Sequence, residues 1–329
     1  MRFPVNFGPP EIARTRSGLR TFQCFPERFF QRFGQRFAQR FSRRIIGALG
    51  LLACVGVLQG CSAMKLAYNQ APELAYWYLD SHLDFNGEQS VQVKASLHQL
   101  QAWHRQTQLP AYATTLQQLQ QQLSADTTAA QACAVVADVR SKLGTISRQA
   151  EPLAATLVGT LDAGQLQNMS QKFSKNNAKE EAERLRDSPR VRQEKRFQQA
   201  LERAERLYGS LNESQRAMMA KRLEQSRFDA RLTFAEKQRR QRDALSTLQP
   251  LTAGQASSEQ TLAALRGLTG RALASPDQGY RAYLDQLGQE NCQIFADLHN
   301  STTAAQRSKA IETLKGYVQD IQILNARKS

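Results

Sequence analysis

Long apolar runs, histidine and cysteine are all scarce in this chain of 329 residues, and each scarcity removes a class of protein. The longest apolar run, Ile45 to Leu58, holds 14 residues, short of the roughly 20 that a transmembrane helix needs. The four histidines and five cysteines form no His-Glu-x-x-His pair and no Cys-x-x-Cys. No Gly-rich phosphate loop or nucleophilic serine elbow stands elsewhere. The expectation is a protein with no cofactor, no metal site and no catalytic set. Strand signals are lacking too, since no stretch keeps a period of two and no Asn-Gly turn joins β-branched runs. Apolar residues instead recur at three and four, as in Leu97, Leu100, Trp103 and His104, or Leu201, Ala204, Leu207 and Tyr208. The fold class read from this pattern is all-α, a multi-helix bundle of antiparallel helices.

What is present begins with Leu58-Gln59-Gly60-Cys61, directly behind the short apolar run and its leading Arg43 and Arg44. These residues resemble the lipobox of bacterial lipoproteins, with Gln59 standing where a smaller residue is commoner. The small Gly60 lets the backbone enter a peptidase, and the Cys61 thiol can carry a diacylglyceryl thioether. The chain then divides into a basic extension at 1–42, a cleaved lipoprotein signal peptide at 43–60 and a mature all-helical domain at 61–329. Within the extension, Phe25, Phe29, Phe33, Phe37 and Phe41 keep a beat of four, and Arg28, Arg32, Arg36, Arg40 and Arg44 share it. A basic amphipathic helix on a membrane has this pattern. The simpler reading is an overlong signal n-region or a start codon set too far upstream. Ser42-Arg43-Arg44-Ile45-Ile46 partly resembles a twin-arginine export signal, without its usual Phe and Lys.

The net charge is +15. Ten arginines against Glu11 and Glu27 put +8 of it into residues 1–60 and leave +7 on the mature part. That balance favours anionic phospholipid, lipopolysaccharide or acidic envelope proteins over nucleic acid. Ser62 after the lipidated cysteine, where Asp would mark inner-membrane retention, points to the outer membrane facing the periplasm. With Cys24 and Cys54 discarded and Cys61 lipidated, Cys133 and Cys292 are left in an oxidising compartment and are expected to pair. Two separately buried thiols are the alternative. Closing so long a loop contributes on the order of 4–5 kcal/mol in the chain-entropy model, an upper estimate.

Capping boxes mark helix starts: a Ser, Thr, Asp or Asn accepts from the backbone N–H three residues on, where a Gln or Glu reaches back. Asn86/Gln89, Asp162/Gln165, Asn212/Gln215, Thr252/Gln255, Ser275/Gln278 and Thr303/Gln306 have this shape. Pro110, Pro152 and Pro250 are expected to break or begin helices, and Ser188 and Ser275 precede prolines suited to a first helical position. The expected helices are 64–83, 87–108, 111–123, 128–149, 152–160, 163–187, 189–209, 213–226, 230–248, 258–273, 276–299 and 304–325. No repeat of fixed length stands out.

Candidate sites are few. Tyr76, Trp77 and Tyr78 sit close to the tether, where aromatic rings favour the headgroup level; packing into the core is the simpler expectation. Asp80-Ser81-His82-Leu83-Asp84 reads as a helix end and turn rather than a metal site. His98 and His104, six apart, lie on nearly opposite faces, so an enzyme would need His104 or His299 beside a carboxylate brought near by folding. Between Arg216 and Arg242, nine Lys or Arg face Glu224, Asp229 and Glu236. Arg231, Lys237, Arg239, Arg240 and Arg242 form the candidate patch for an anionic partner, against the plainer reading of a solvated helix face.

Several segments resemble a family of uncharacterised proteobacterial helical lipoproteins with a domain of unknown function. They are Lys65-Leu66-Ala67-Tyr68-Asn69, Leu74-Ala75-Tyr76-Trp77, Trp103-His104-Arg105, Asn176-Asn177, Glu236-Lys237-Gln238-Arg239-Arg240-Gln241 and Leu298-His299-Asn300-Ser301-Thr302. The resemblance implies class and place, and no activity. Leu161-Asp162-Ala163-Gly164-Gln165, Leu211-Asn212-Glu213-Ser214-Gln215 and Leu251-Thr252-Ala253-Gly254-Gln255 are similar to the Leu-Thr-x-x-Gln motif of Spy-type periplasmic chaperones. The expected function is a non-enzymatic, lipid-anchored interaction protein of the envelope, with a holdase chaperone as the alternative.

Overall fold

The computed structural model describes residues 63–254 and 256–326. Cys61, the signal segment and the basic extension lie outside the described residues. The order is α1 (Ala63–Asn69), α2 (Ala71–Leu83), α3 (Gly87–Gln122), α4 (Ala129–Val158), α5 (Ala163–Glu180), a π turn (Glu181–Leu185), α6 (Pro189–Tyr208), α7 (Glu213–Glu224), α8 (Ala230–Leu248), a 3-10 turn (Gln249–Gly254), α9 (Ser258–Leu273), α10 (Gln278–Asn300) and α11 (Ala304–Ala326). Among the described residues there is no strand, so the all-α expectation holds.

Two expected breaks are absent. α3 runs 36 residues through Pro110 and α4 runs 30 through Pro152. Each proline removes one backbone donor, a cost of about 3 kcal/mol in an isolated helix. Packing outweighs it: Leu109, beside Pro110, is buried against Ile321 and Leu324, and Leu123 near the end of α3 packs with Ala310 and Leu314. These pairings run in opposite senses, so α3 and α11 lie antiparallel along much of their length. A local proline rule yields here to tertiary burial.

Four of the expected capping boxes form, at Asn86/Gln89, Asp162/Gln165, Asn212/Gln215 and Thr303/Gln306. Two do not. Thr252 falls in the 3-10 turn, and the box that starts α9 is Ser257/Gln260. α10 is capped by Asp277 onto the Tyr280 N–H, while Ser275 donates to Glu236. Thr128/Gln131 at the head of α4 completes the set.

The box glutamines also build the fold. Gln89 Nε2 donates to Gln165 Oε1 (3.1 Å) and Gln165 Nε2 donates back to Gln89 Oε1 (2.7 Å). Each amide sends its other N–H to the carbonyl two residues before its partner's N-cap, Gln89 to Thr160 and Gln165 to Asp84. Each Oε1 also accepts its own N-cap N–H. Gln215 and Gln306 repeat this arrangement, donating to each other (2.9 and 3.0 Å) and to the Ser301 and Ser210 carbonyls. Every amide donor is used, and each oxygen accepts twice, which is what makes burying the amide tolerable.

These two clasps head two equivalent four-helix groups, α2–α3 with α4–α5, and α10–α11 with α6–α7. A shift of 217 residues carries His82, Asn86, Gln89 and Val93 onto His299, Thr303, Gln306 and Ala310. A shift of 50 carries Val158, Leu161, Asp162, Gln165 and Met169 onto Tyr208, Leu211, Asn212, Gln215 and Met219. The groups have separate cores, one around Leu83, Phe85, Val158, Leu161 and Met169, the other around Tyr208, Leu211, Met219, Leu298 and Ala310. The halves occur in different chain order with two different shifts, so no fixed period exists to be read.

The expected Cys133–Cys292 disulfide is present and joins α4 to α10 across the two groups, with Cα atoms 5.4 Å apart.

Candidate functional site

Two regions gather the candidate residues. The first is at the start of the described chain, in α1 and α2. The bonds Gln70 N to Leu66 O and Leu74 N to Gln70 O carry the helical ladder across the α1–α2 junction, so the two helices form one bent rod. Its inner side is fixed by a Lys65–Asp320 ion pair to α11 (3.0 Å) and by a polar cluster under Tyr68. Tyr68 Oη lies 3.1 Å from His104 Nδ1, and Tyr112 Oη lies 3.2 Å from His104 Nε2. Gln101 Nε2 donates to the Tyr68 carbonyl and Arg105 Nη2 to Asn69 Oδ1. Burial pushes the two phenols up and the His104 imidazole down from their ordinary values. All three stay neutral at pH 7, so the cluster acts as a hydrogen-bonded lock between α1 and α3.

The outer side of the same rod is mainly apolar and exposed, with Gln70 among its residues and Glu73 at its edge. Leu66, Leu74, Trp77 and Tyr78 are 62, 54, 68 and 58% exposed. Core packing was the simpler expectation for the aromatics, and it holds for Tyr76 alone, whose hydroxyl donates to Ser90 Oγ (3.0 Å). Adjacent positions of a helix point in different directions, so Trp77 and Tyr78 face out where Tyr76 faces in.

The second region is the basic helix α8. Arg239 Nε and Nη2 and Arg240 Nε donate to the buried Glu236 carboxylate at 2.8–3.0 Å. Asp243 receives Arg271 through two nitrogens and Arg239 through a third. The hydrogen bonds from Arg239 and Arg271 hold the Glu236 and Asp243 carboxyls below their ordinary values. Lys237 reaches Glu180 on α5 (2.5 Å). Of the five candidate patch residues, Arg239, Arg240 and Lys237 are thus engaged in tying α8 to itself, α9 and α5, which narrows the outward-facing basic surface. Arg242 and Arg231 are exposed. Arg231 borders an open cleft of about 740 Å³, lined also by Glu181, Arg186, Asp187, Arg192 and Phe234 beside the π turn.

Among the described residues none of the remaining histidines has a carboxylate at hydrogen-bond distance; the exposed His98 ring is 3.6 Å from Glu73. His299 is fully buried; its Nε2 donates to the Ala125 carbonyl (2.8 Å) and its Nδ1 accepts from Tyr208 Oη (2.9 Å). Asp80 accepts the Phe85 N–H at the α2–α3 turn, the helix-end role expected for that segment. No group of three metal-binding side chains occurs among the described residues, and no described helix is long and apolar enough to cross a membrane. The Leu161 and Leu211 segments that carry the chaperone resemblance are spent on the clasps.

Sequence reasoning missed the Tyr68–His104–Tyr112 cluster and the clasps. The aromatic spacing of Tyr68 and the Trp103-His104-Arg105 segment was visible, but nothing local indicated that they meet.

Fold and surface together define an all-α, multi-helix protein with two clasped groups and an uncovered apolar rod. The chain belongs to a family of unknown function, DUF6279, whose model matches residues 81–268. That stretch contains the first clasp and the basic helix and stops before α10. No curated protein and no solved structure matches the chain.

Proposed function

We propose that this chain is a lipid-tethered protein of the bacterial cell envelope, held at Cys61 after cleavage behind Gly60, that works through surface contacts rather than catalysis. The observation carrying the reading is the Cys133–Cys292 disulfide, because such bonds persist outside the reducing cytosol. The Leu58-Gln59-Gly60-Cys61 segment supports the same compartment. Ser62 supports the outer membrane, and the resemblance stated above supports a proteobacterial lipoprotein.

Growth with an alkyne-tagged fatty acid tests it. The processed protein takes up label, Cys61→Ser abolishes it, and the labelled form sediments with outer membrane. An unlabelled, uncleaved chain in the soluble fraction overturns the reading. Crosslinking of the tethered protein in intact envelope identifies what it contacts.

A further inference from the structure

The uncovered apolar side of α1–α2 begins only five residues after Cys61. We propose that this face lies on the lipid bilayer itself, so that the protein touches its membrane twice, once through the acyl chains and once through Leu66, Leu74, Trp77 and Tyr78. The inference rests on the tether proposed above.

Three observations lead to a bilayer rather than another occupant. The first is continuity: a lipid on Cys61 holds a rod starting at Ala63 within a few ångströms of the membrane, and 1.5 Å per residue puts Trp77 only about 20 Å further along. The second is chemistry. Leu66, Ala67, Ala71, Leu74, Trp77 and Tyr78 are all exposed and fall on one side of the bent rod. They combine aliphatic groups with rings that carry a polar edge, the combination favoured at the headgroup level. The third is charge. Tyr78 packs on His82 with ring centroids 4.6 Å apart. His82 borders a groove of about 410 Å³ in which Lys172 and Lys175 are balanced by Asp80 and Asp84. With Glu73 exposed at the edge of the face beside His98, the surroundings offer no basic excess to draw anionic lipid, which leaves apolar insertion as the driving force. The contact is therefore expected to survive high salt, unlike a basic patch on acidic lipid.

The inner side of the rod is locked to α3 and α11 through His104 and Asp320. A seated rod would thus fix how the whole body stands on the membrane, where a lipid chain alone leaves it free to swivel.

Trp77 and Trp103 are the two tryptophans of the chain, so Trp103→Phe leaves Trp77 as the reporter. The processed protein is reconstituted in vesicles of phosphatidylethanolamine and phosphatidylglycerol, with or without phosphatidylcholine brominated high on its acyl chains. The expected result is a blue-shifted Trp77 emission that bromine quenches, unchanged by molar salt and lost in Leu74→Ser/Tyr78→Ser, two exposed positions where folding is not at stake. Emission that stays red and unquenched in brominated vesicles overturns the proposal. Trp77 already shielded from acrylamide before lipid is added also overturns it, by showing a second copy or another segment on this face. The fatty-acid label on Cys61 is read separately. Label without quenching removes the docking and keeps the tether, and quenching without label does the reverse.

Discussion

His82 and His299 occupy the same place in the two clasped groups, four residues ahead of the N-cap that opens the next helix, yet their rings are used differently. His82 Nδ1 donates to the Tyr78 carbonyl of its own helix (2.8 Å), and the ring, also buried, leans on Tyr78 and Phe173. His299 is turned inward, takes the other tautomer, and ties α10 to Tyr208 at the end of α6 and to Ala125 beyond α3. The position opposite explains the change. Where the first group has Val158, which offers a histidine nothing polar, the second has Tyr208. One replacement turns a local cap into a link between three segments. The family match contains His82, Val158 and Phe173 but begins after Tyr78, and it ends before His299.

The largest expected effect breaks this comparison directly. His299→Ala leaves the Tyr208 hydroxyl and the Ala125 carbonyl without their protein partner at a fully buried position. Each orphaned group costs about 1–3 kcal/mol, and the vacated volume adds to this. A loss of about 4 kcal/mol is expected in urea unfolding, against about 1–2 kcal/mol for His82→Ala, whose carbonyl partner sits in its own helix. Equal losses would show that the two histidines do the same work.

Next comes the disulfide. Cys133→Ser/Cys292→Ser is expected to cost about 2–4 kcal/mol. The bond holds α10 and has no counterpart on α2, so hydrogen exchange in the variant should rise in α10 more than in α2. Uniform loosening of both hairpins would remove this asymmetry.

The clasps themselves sharpen the likeness rather than the difference. Gln89→Leu and Gln215→Leu each strand a partner amide and should each cost about 2–3 kcal/mol. Replacing both members of one clasp, as in Gln89→Leu/Gln165→Leu, should cost clearly less than the sum of the two single changes, because no unpaired amide is left. Strict additivity would mean that the reciprocal bonds contribute nothing beyond the caps.

How far the sequence disclosed this follows from the range of each interaction. The boxes at Asn86, Asp162, Asn212 and Thr303 were readable because a cap is settled within four residues. The second task of their glutamines was not, since Gln89 meets Gln165 and Gln215 meets Gln306 across distant chain. Thr252/Gln255 has the same local pattern and makes no helix start, because the chain there continues from α8 as a 3-10 turn. Pro110 and Pro152 misled for a related reason, a local rule overridden by packing. On α8 the charges were plain, but their pairing with Asp243, Glu180 and Arg271 belongs to the fold, and so does the outward turn of Trp77.

The smallest effect is a pH dependence, and its range separates the buried histidines from the α8 carboxylates. Burial is the main force holding His299 below its ordinary value of 6.5; Arg307 adds to this, while the Ala125 carbonyl and Asp126 work against it. Burial does the same for His104. Below about pH 6.5 the unfolded chain binds protons that the folded chain refuses, so stability falls as pH falls through that range and is complete above it. Glu236 and Asp243 are held below their ordinary values of 4.5 and 3.8. Their contribution is whole above those values and is lost only as pH drops further. Urea midpoints taken down the pH scale should therefore show two separate declines. His299→Gln with His104→Gln should flatten the upper one, and Glu236→Gln should weaken the lower one alone. An upper decline that survives loss of both histidines would mean that their burial is not what couples stability to protons.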